Sequence, residues 1–137
     1  MRAKDIKVGH VYYVQFNPTK KGGFDNHDLA AVLKKNDNEI TFIVIPLTGN
    51  DKGVGQNKIE ISITNLLPPH LQNKKTYAVY DQIRTVNAAR FSTLSENGKE
   101  FDVVLPEEDV VKLYEKIIEN VFPDLGKEER EKIIRNL

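Results

Sequence analysis

The hydrophobic pattern of the chain changes its period at Pro106, and this change limits the available folds. Before Pro106 the apolar residues fall in short runs rich in β-branched and aromatic side chains, which is typical of strands. After Pro106 they recur at helical spacing, and acidic residues follow the proline, as suits a helix N-terminus. The 137 residues contain no internal repeat and no linker-like stretch. The sequence therefore predicts one small α+β or β-barrel domain, with short strands followed by terminal helices that cover them.

The predicted sheet is mostly antiparallel and is centred on one hairpin. Residues 29–33 (LAAVL) and 40–47 (ITFIVIPL) are dense apolar runs on either side of a polar turn, which predicts two paired core strands. Residues 11–17 predict an earlier strand that enters a basic, glycine-containing loop after Pro18. Further strands are predicted at residues 58–63, 76–80 and 82–86.

Two helices are predicted after the sheet. The first begins at Pro106 and carries one apolar stripe, formed by Val110, Val111, Leu113, Ile117, Ile118 and Val121. Residues 122–126 interrupt it, and residues 127–137 predict a short amphipathic helix with Ile133, Ile134 and Leu137 on its apolar side. We divide the chain into residues 1–122, the barrel domain with its helix, and residues 123–137, an extra helical tail of the same domain.

Composition excludes several classes of protein. The chain has no cysteine, so disulfides and thiolate metal sites are excluded, and its three histidines are scattered without ligand spacing. We predict no metal and no cofactor. No apolar run is long enough to span a membrane and the first residues lack a signal-peptide pattern, so we predict a cytoplasmic protein.

The charge is unevenly distributed along the chain. Residues 1–105 hold 14 of the 20 Lys and Arg and 11 of the 20 Asp and Glu, a net charge of +3, and the remaining residues carry −3. A mildly basic body suits a polyanionic partner and suits an ordinary solvated surface equally well.

Three segments together resemble the MazF/PemK (Kid) family of toxin endoribonucleases from type II toxin–antitoxin systems. Residues 9–20 (GHVYYVQFNPTK) resemble the opening strand of the family and its Asp/Asn-Pro-Thr turn. Residues 44–48 (VIPLT) resemble its core strand, which ends in a threonine, and residues 81–86 (DQIRTV) its Asp-Gln-x-Arg-Thr-Ile/Val signature. Their order and spacing fit over residues 7–121.

The resemblance implies a small SH3-like antiparallel β-barrel with a C-terminal helix, which assembles as a homodimer. It also implies cleavage of single-stranded RNA, such as mRNA, through attack of the 2′-hydroxyl to give a 2′,3′-cyclic phosphate. No metal takes part in this reaction, and an antitoxin protein neutralises the toxin.

The site residues follow from the same alignment. Thr48 and Asp81 match active-site positions, and His27 matches the residue before the phosphate-binding arginine of the family. That arginine falls on Asp28, so Arg84 becomes the leading substitute cation among the catalytic candidates. An oxyanion donor is worth about 100- to 1,000-fold in rate, and a carboxylate in its place repels phosphate. The predicted RNA-binding residues are Thr19, Lys20, Lys21, Phe24 and Gln82.

Ordinary structural roles stay open for these residues. Thr48 also suits a turn before Gly49, and Asp81 suits an ion pair with Arg84. Because of Asp28, a second hypothesis is a catalytically degenerate relative that only binds RNA or a partner peptide. A third is a gyrase-directed toxin of the related CcdB type, from which the Asp-Gln-x-Arg-Thr string points away.

Overall fold

The computed structural model describes residues 1–16, 27–49 and 57–136, apart from the side chain of His27. Short strands occupy most of the described chain up to residue 104, and two helices follow. The strands are β1 His10–Gln15, β2 His27–Lys35, β3 Thr41–Thr48, β4 Lys58–Ile61, β5 Thr76–Val79, β6 Arg84–Asn87, β7 Phe91–Ser92, β8 Leu94–Glu96, β9 Lys99–Phe101 and β10 Val103–Val104. The helices are α1 Glu107–Val121 and α2 Lys127–Arg135.

One antiparallel sheet organises the described residues. Its strand order is β10-β1-β2-β3-β5-β4, with β6 also paired to β3 and β7 to β1, while β8 and β9 form a separate pair. The predicted hairpin is confirmed, since β2 pairs β3 with Leu29 opposite Leu47 and Val32 opposite Val44. The sequence does not predict the short strands β7 to β10, because two or three residues are too few to show an alternating pattern.

The central strands are buried on both faces. Side chains alternate across a strand, so Ala31 of β2 and Ile45 of β3 face one apolar cluster, whereas Ala30 and Val44 face another. The first cluster also contains Leu113 of α1. The second cluster lies on the other side of the hairpin and also holds Ile6, Tyr12, Val14, Val32, Phe42, Val86, Ala88 and Phe91. This two-sided burial explains why both hairpin strands read as continuous apolar runs.

The predicted stripe of α1 is correct for most of its members. Leu113 and Ile118 are buried, and Val110 and Ile117 pack against the first cluster. The prediction is wrong for Val111 and Val121, which are 37% and 57% exposed, because Val111 lies at the edge of the stripe and Val121 is the last residue of α1.

The second predicted helix is present as α2. Its Ile134 is half-buried and its Ile133 is 38% exposed, so the apolar side is only partly covered. Leu137, the third residue predicted on that side, lies outside the described residues.

A buried carboxylate fastens α1 to the sheet. Asp109 is 2% exposed and accepts hydrogen bonds from the backbone N–H of Ser62 at 2.9 Å and from its hydroxyl at 2.7 Å. Asp109 lies in the first turn of α1, where a negative charge also interacts favourably with the helix dipole. The residue therefore joins the helix to the segment that directly follows β4.

We expect Asp109→Ala to lower the free energy of unfolding by about 1–3 kcal/mol, because it leaves the Ser62 donors without their acceptor. Glu108→Ala is the matched control, since Glu108 is an exposed acid of the same helical turn. Urea midpoints of the two variants measure the difference. Equal midpoints would show that the contact with Ser62 does not stabilise the fold.

Candidate functional site

A polar cleft of about 310 Å³ lies beside the end of β3. Its charged and hydroxyl-bearing lining residues come from four strands: Asp28 of β2, Thr48 of β3, Lys58 of β4 and Arg84 of β6. The other residues of the lining are Phe16, Pro46, Leu47, Val79 and Gln82. One carboxylate, one hydroxyl and two cations therefore share a single opening.

The alternation of the central strands accounts for this gathering. Phe42 and Val44 of β3 face the second cluster, and the same face of the strand continues as Pro46 and Thr48. Arg84 lies opposite Val44 in the ladder between β6 and β3, and residues opposite each other share a face. The cleft is thus the polar continuation of an apolar sheet face.

The cleft opens where strand pairing on one edge of β3 is interrupted at Pro46. Leu47 pairs with Ala78 of β5 and Val44 pairs with Arg84 of β6, so residues 79–83 leave the edge of β3 between these two pairs. Pro46 lies at this gap and has no N–H to donate to a ladder. The released segment is a bulge that carries Val79 and Gln82 into the lining of the cleft.

Two hydrogen bonds fix the bulge against the start of β4. The N–H of Tyr80 donates to the carbonyl of Asn57 at 3.0 Å, and the N–H of Asn57 donates to the Tyr80 hydroxyl at 3.1 Å. Asn57 has a left-handed backbone with φ 74°, a conformation that asparagine tolerates better than most residues. Lys58 follows it directly and pairs with Val79, so this contact sets the position of the lysine beside the cleft.

The guanidinium of Arg84 lies over an aromatic ring. Its Cζ is 4.8 Å from the centre of the Phe16 ring, which is cation–π geometry. Arg84 as a residue is exposed, whereas Phe16 is half-buried and packs against the second cluster. The ring therefore orients a cation that remains accessible from the cleft.

The structure brings together some of the residues that the sequence singles out. Thr48, Gln82 and Arg84 line the cleft together with Asp28. Asp81 is exposed on the bulge and is not part of the lining. His27 is the first residue of β2, where its backbone pairs with Gln15. The remaining candidates, Thr19, Lys20, Lys21 and Phe24, lie outside the described residues.

Sequence reasoning missed Lys58 and Phe16 as residues of this cleft. Lys58 reads as the first residue of an alternating strand, and Phe16 as an apolar residue before a loop. Nothing in their local sequence marks a site, because they meet Arg84 and Thr48 only through strand pairing. Within the described ranges, no three His, Cys, Asp or Glu side chains are grouped closely enough to hold a metal ion.

Comparison with known proteins places the chain in a family. The family model described as a PemK-like, MazF-like toxin of type II toxin–antitoxin systems matches residues 7–121. The chain belongs to this family. The same residues carry the three motifs and most of the described sheet, so the predicted membership is confirmed.

Solved structures show the same fold at low sequence identity. A chain of the MazE–MazF crystal structure from Deinococcus radiodurans gives a TM-score of 0.57 at 21% identity, covering 85% of this chain and 95% of that one. A MazF structure from the same organism gives 0.57 at 18% identity, covering 85% and 96%. The Mycobacterium tuberculosis toxin MazF-mt6 gives 0.50 at 13%, covering 83% and 96%. The predicted α+β, barrel-like fold is therefore confirmed.

No curated protein sequence matches the chain significantly. Of the helices that the structure describes, neither is long and apolar enough to cross a membrane.

Proposed function

We propose that this member of the MazF/PemK family is an endoribonuclease toxin that cleaves single-stranded RNA without a metal. The 2′-oxygen of one nucleotide attacks the adjacent phosphorus, the bond from phosphorus to the 5′-oxygen breaks, and the products are a 2′,3′-cyclic phosphate and a 5′-hydroxyl. One observation carries the proposal. The cleft beside Thr48 holds a carboxylate, a hydroxyl and two cations, which are the groups that this reaction requires.

Asp28 is the base of the proposed reaction. Its carboxylate is exposed in the cleft and accepts the proton that the 2′-hydroxyl loses when its oxygen bonds to phosphorus. In the family pattern the position of Asp28 is an arginine. The site of this chain therefore lacks that cation and has a proton acceptor in its place. The positive charge must then come from other strands.

Arg84 and Lys58 supply that charge. A guanidinium stays protonated and binds two phosphate oxygens at once, so Arg84 stabilises the charge that builds up on the pentavalent phosphorus group. The Lys58 ammonium gives a proton to the departing 5′-oxygen, and solvent later restores both Lys58 and Asp28. The Thr48 hydroxyl donates a hydrogen bond to a non-bridging phosphate oxygen.

The remaining roles rest on the family resemblance. Thr19, Lys20, Lys21, Phe24 and Gln82 are proposed to bind the RNA. Catalytic roles for His27 and Asp81 remain predictions, and Asp81 would act from outside the cleft lining.

The partners are also proposed from the family. The first Deinococcus radiodurans structure is a MazE–MazF complex, which supports a MazE-like antitoxin as the neutralising partner of this chain. We propose a homodimer acting on mRNA in the cytoplasm.

Asp28 also favours a second candidate function. A carboxylate at a phosphate-binding position repels phosphate and so opposes cleavage. The second candidate is therefore a protein that binds RNA or a partner peptide in this cleft without cleaving RNA. In that case Asp28→Arg should create cleavage where the native protein shows none.

The test is incubation of the purified protein with a long single-stranded RNA in EDTA, followed by mapping of the new ends. We expect cuts at a short recurrent sequence that leave 2′,3′-cyclic phosphates and 5′-hydroxyls. Intact RNA after long incubation with stoichiometric protein would contradict the enzyme.

Thr48→Ala shows whether the cleavage belongs to this cleft. Loss of this donor to the phosphate is expected to lower the rate by about 100-fold, the lower end of the range for an oxyanion donor, measured as the initial rate of cleavage. A contaminating ribonuclease would cleave equally in both preparations. An unchanged rate would therefore separate the activity from Thr48.

A further inference from the structure

One tyrosine of the bulge holds the backbone of Asn57 at two points. The N–H of Tyr80 donates to the Asn57 carbonyl at 3.0 Å, and the Tyr80 hydroxyl accepts a hydrogen bond from the N–H of Asn57 at 3.1 Å. The Tyr80 ring is half-buried and packs against the first cluster. Asn57 is therefore tied to the apolar core through this one residue.

Tyr80 is not part of the cleft lining. Ala78 and Tyr80 face the first cluster, whereas Val79 between them lines the 310 Å³ cleft. Lys58 pairs with Val79, and residues opposite each other share a face, which agrees with the place of Lys58 in the same lining. Tyr80 can thus act on the cleft through the backbone that it holds, and not by contact with a bound substrate.

The start of β4 depends on this contact. β4 is the last strand in the order of the described sheet, where it pairs with β5, and Lys58 with Val79 is the pair at its beginning. The ends of such strands open more readily than their interiors. Asn57 has a left-handed φ of 74°, which lies outside the range that strands adopt, so the ladder does not continue through it. Loss of the Tyr80 hydroxyl would therefore loosen the residue directly before Lys58.

We infer that Tyr80 is a positioning residue for Lys58, the proton donor of the proposed reaction. The inference rests on the proposed function, in which the Lys58 ammonium protonates the departing 5′-oxygen. Proton transfer requires the donor within hydrogen-bond reach of its acceptor, so a small shift of the Lys58 backbone slows the reaction although the charge stays in the cleft. The Tyr80 hydroxyl prevents that shift by holding Asn57.

Tyr80→Phe keeps the ring and removes the acceptor of the Asn57 N–H. We expect kcat for RNA cleavage to fall about 10- to 100-fold with KM changed less than about twofold, because proton donation acts only in the transition state. Tyr114→Phe is the matched control. It also loses a hydroxyl contact of 3.1 Å to the backbone, with the carbonyl of Leu33, but Tyr114 lies on α1 and does not line the cleft. Its kcat should stay unchanged.

A second substrate separates positioning from a general loosening of the fold. It is an RNA with sulfur in place of the 5′-oxygen at the mapped cut, so the bond from phosphorus to sulfur breaks and the sulfur leaves with the electron pair as a thiolate. A thiol has a pKa of about 8.5, so this leaving group needs no proton donor. Tyr80→Phe and Lys58→Ala should both cleave it within about twofold of the native rate. A smaller folded fraction would lower both rates equally, and an equal loss on both substrates would overturn the inference.

The outcomes separate this inference from the proposed function. In the Lys58→Ala background, Tyr80→Phe should lower kcat no further, and fully additive losses would contradict a role through Lys58. If the native protein cleaves RNA and Tyr80→Phe behaves like Tyr114→Phe, the inference is wrong and the enzyme stands. Native kcat in Lys58→Ala would likewise overturn the inference alone. Intact RNA with the native protein would overturn the proposed function and the inference together.

Discussion

Asp28→Asn is expected to lower kcat for RNA cleavage by about 100- to 10,000-fold, the range that a positioned general base contributes. The amide is nearly the same size as the carboxylate but cannot accept the proton of the 2′-hydroxyl at neutral pH. Because Asp28 is exposed at the edge of the cleft, the urea midpoint should stay unchanged. Initial rates on an RNA that spans the mapped cut site measure the effect.

Asp81→Asn is the matched comparison for Asp28→Asn. Asp81 is exposed on the bulge but does not line the cleft, so the structure predicts a smaller effect for it. A larger loss in Asp81→Asn than in Asp28→Asn would transfer the role of base to Asp81, the assignment that the family resemblance favours, and would contradict proton transfer to Asp28.

Arg84→Ala is expected to reduce kcat by about 100- to 1,000-fold, because it removes the charged donor that we propose stabilises the transition state. Arg84→Lys keeps the charge but loses the two-pronged contact with phosphate and the planar group over Phe16. Its rate should therefore fall between those of the native protein and Arg84→Ala.

Two further variants identify the cause of an Arg84 effect. Phe16→Leu keeps an apolar side chain and removes the ring, so it should lower the rate less than Arg84→Ala if the ring only orients the guanidinium. Arg2→Ala removes an exposed arginine that pairs with Asp5 and should leave the rate unchanged. Native-like kcat in Arg84→Ala would show that Lys58 or another cation provides the stabilisation.

Most of the fold could be predicted from the sequence, because its main elements carry strong periodic signals. The hairpin of β2 and β3 is buried on both faces and reads as two apolar runs, and α1 repeats its apolar residues every three or four positions. Val121 fits the helical repeat but is exposed, because the last residue of α1 extends beyond the residues that pack against the helix. A repeating pattern predicts the apolar side of a helix and does not show where the packing ends. The assignment of residues 123–137 to the same domain remains a prediction.

The site could be predicted only where a motif marked it. Thr48, Gln82 and Arg84 belong to motifs and line one cleft, whereas Lys58 belongs to no motif and reaches the cleft through the pairing of β4 with β5. The sequence marks Asp28 only because the family pattern has an arginine at that position. Asp28 shares a cleft with two cations because the strand pairing along β3 is interrupted at Pro46. Which side chains come together in the cleft depends on the register of the strand pairs, and a single sequence does not show that register.

The central claim is that the carboxylate of Asp28 works with the cations of neighbouring strands in an active site. The most direct measurement compares the native protein, Asp28→Asn and Asp28→Arg on one single-stranded RNA in EDTA, with the new ends mapped. We predict cleavage by the native protein that leaves 2′,3′-cyclic phosphates, a large loss in Asp28→Asn, and no gain in Asp28→Arg. An inert native protein together with an active Asp28→Arg would contradict this claim and would identify a member of the family that binds without cleaving.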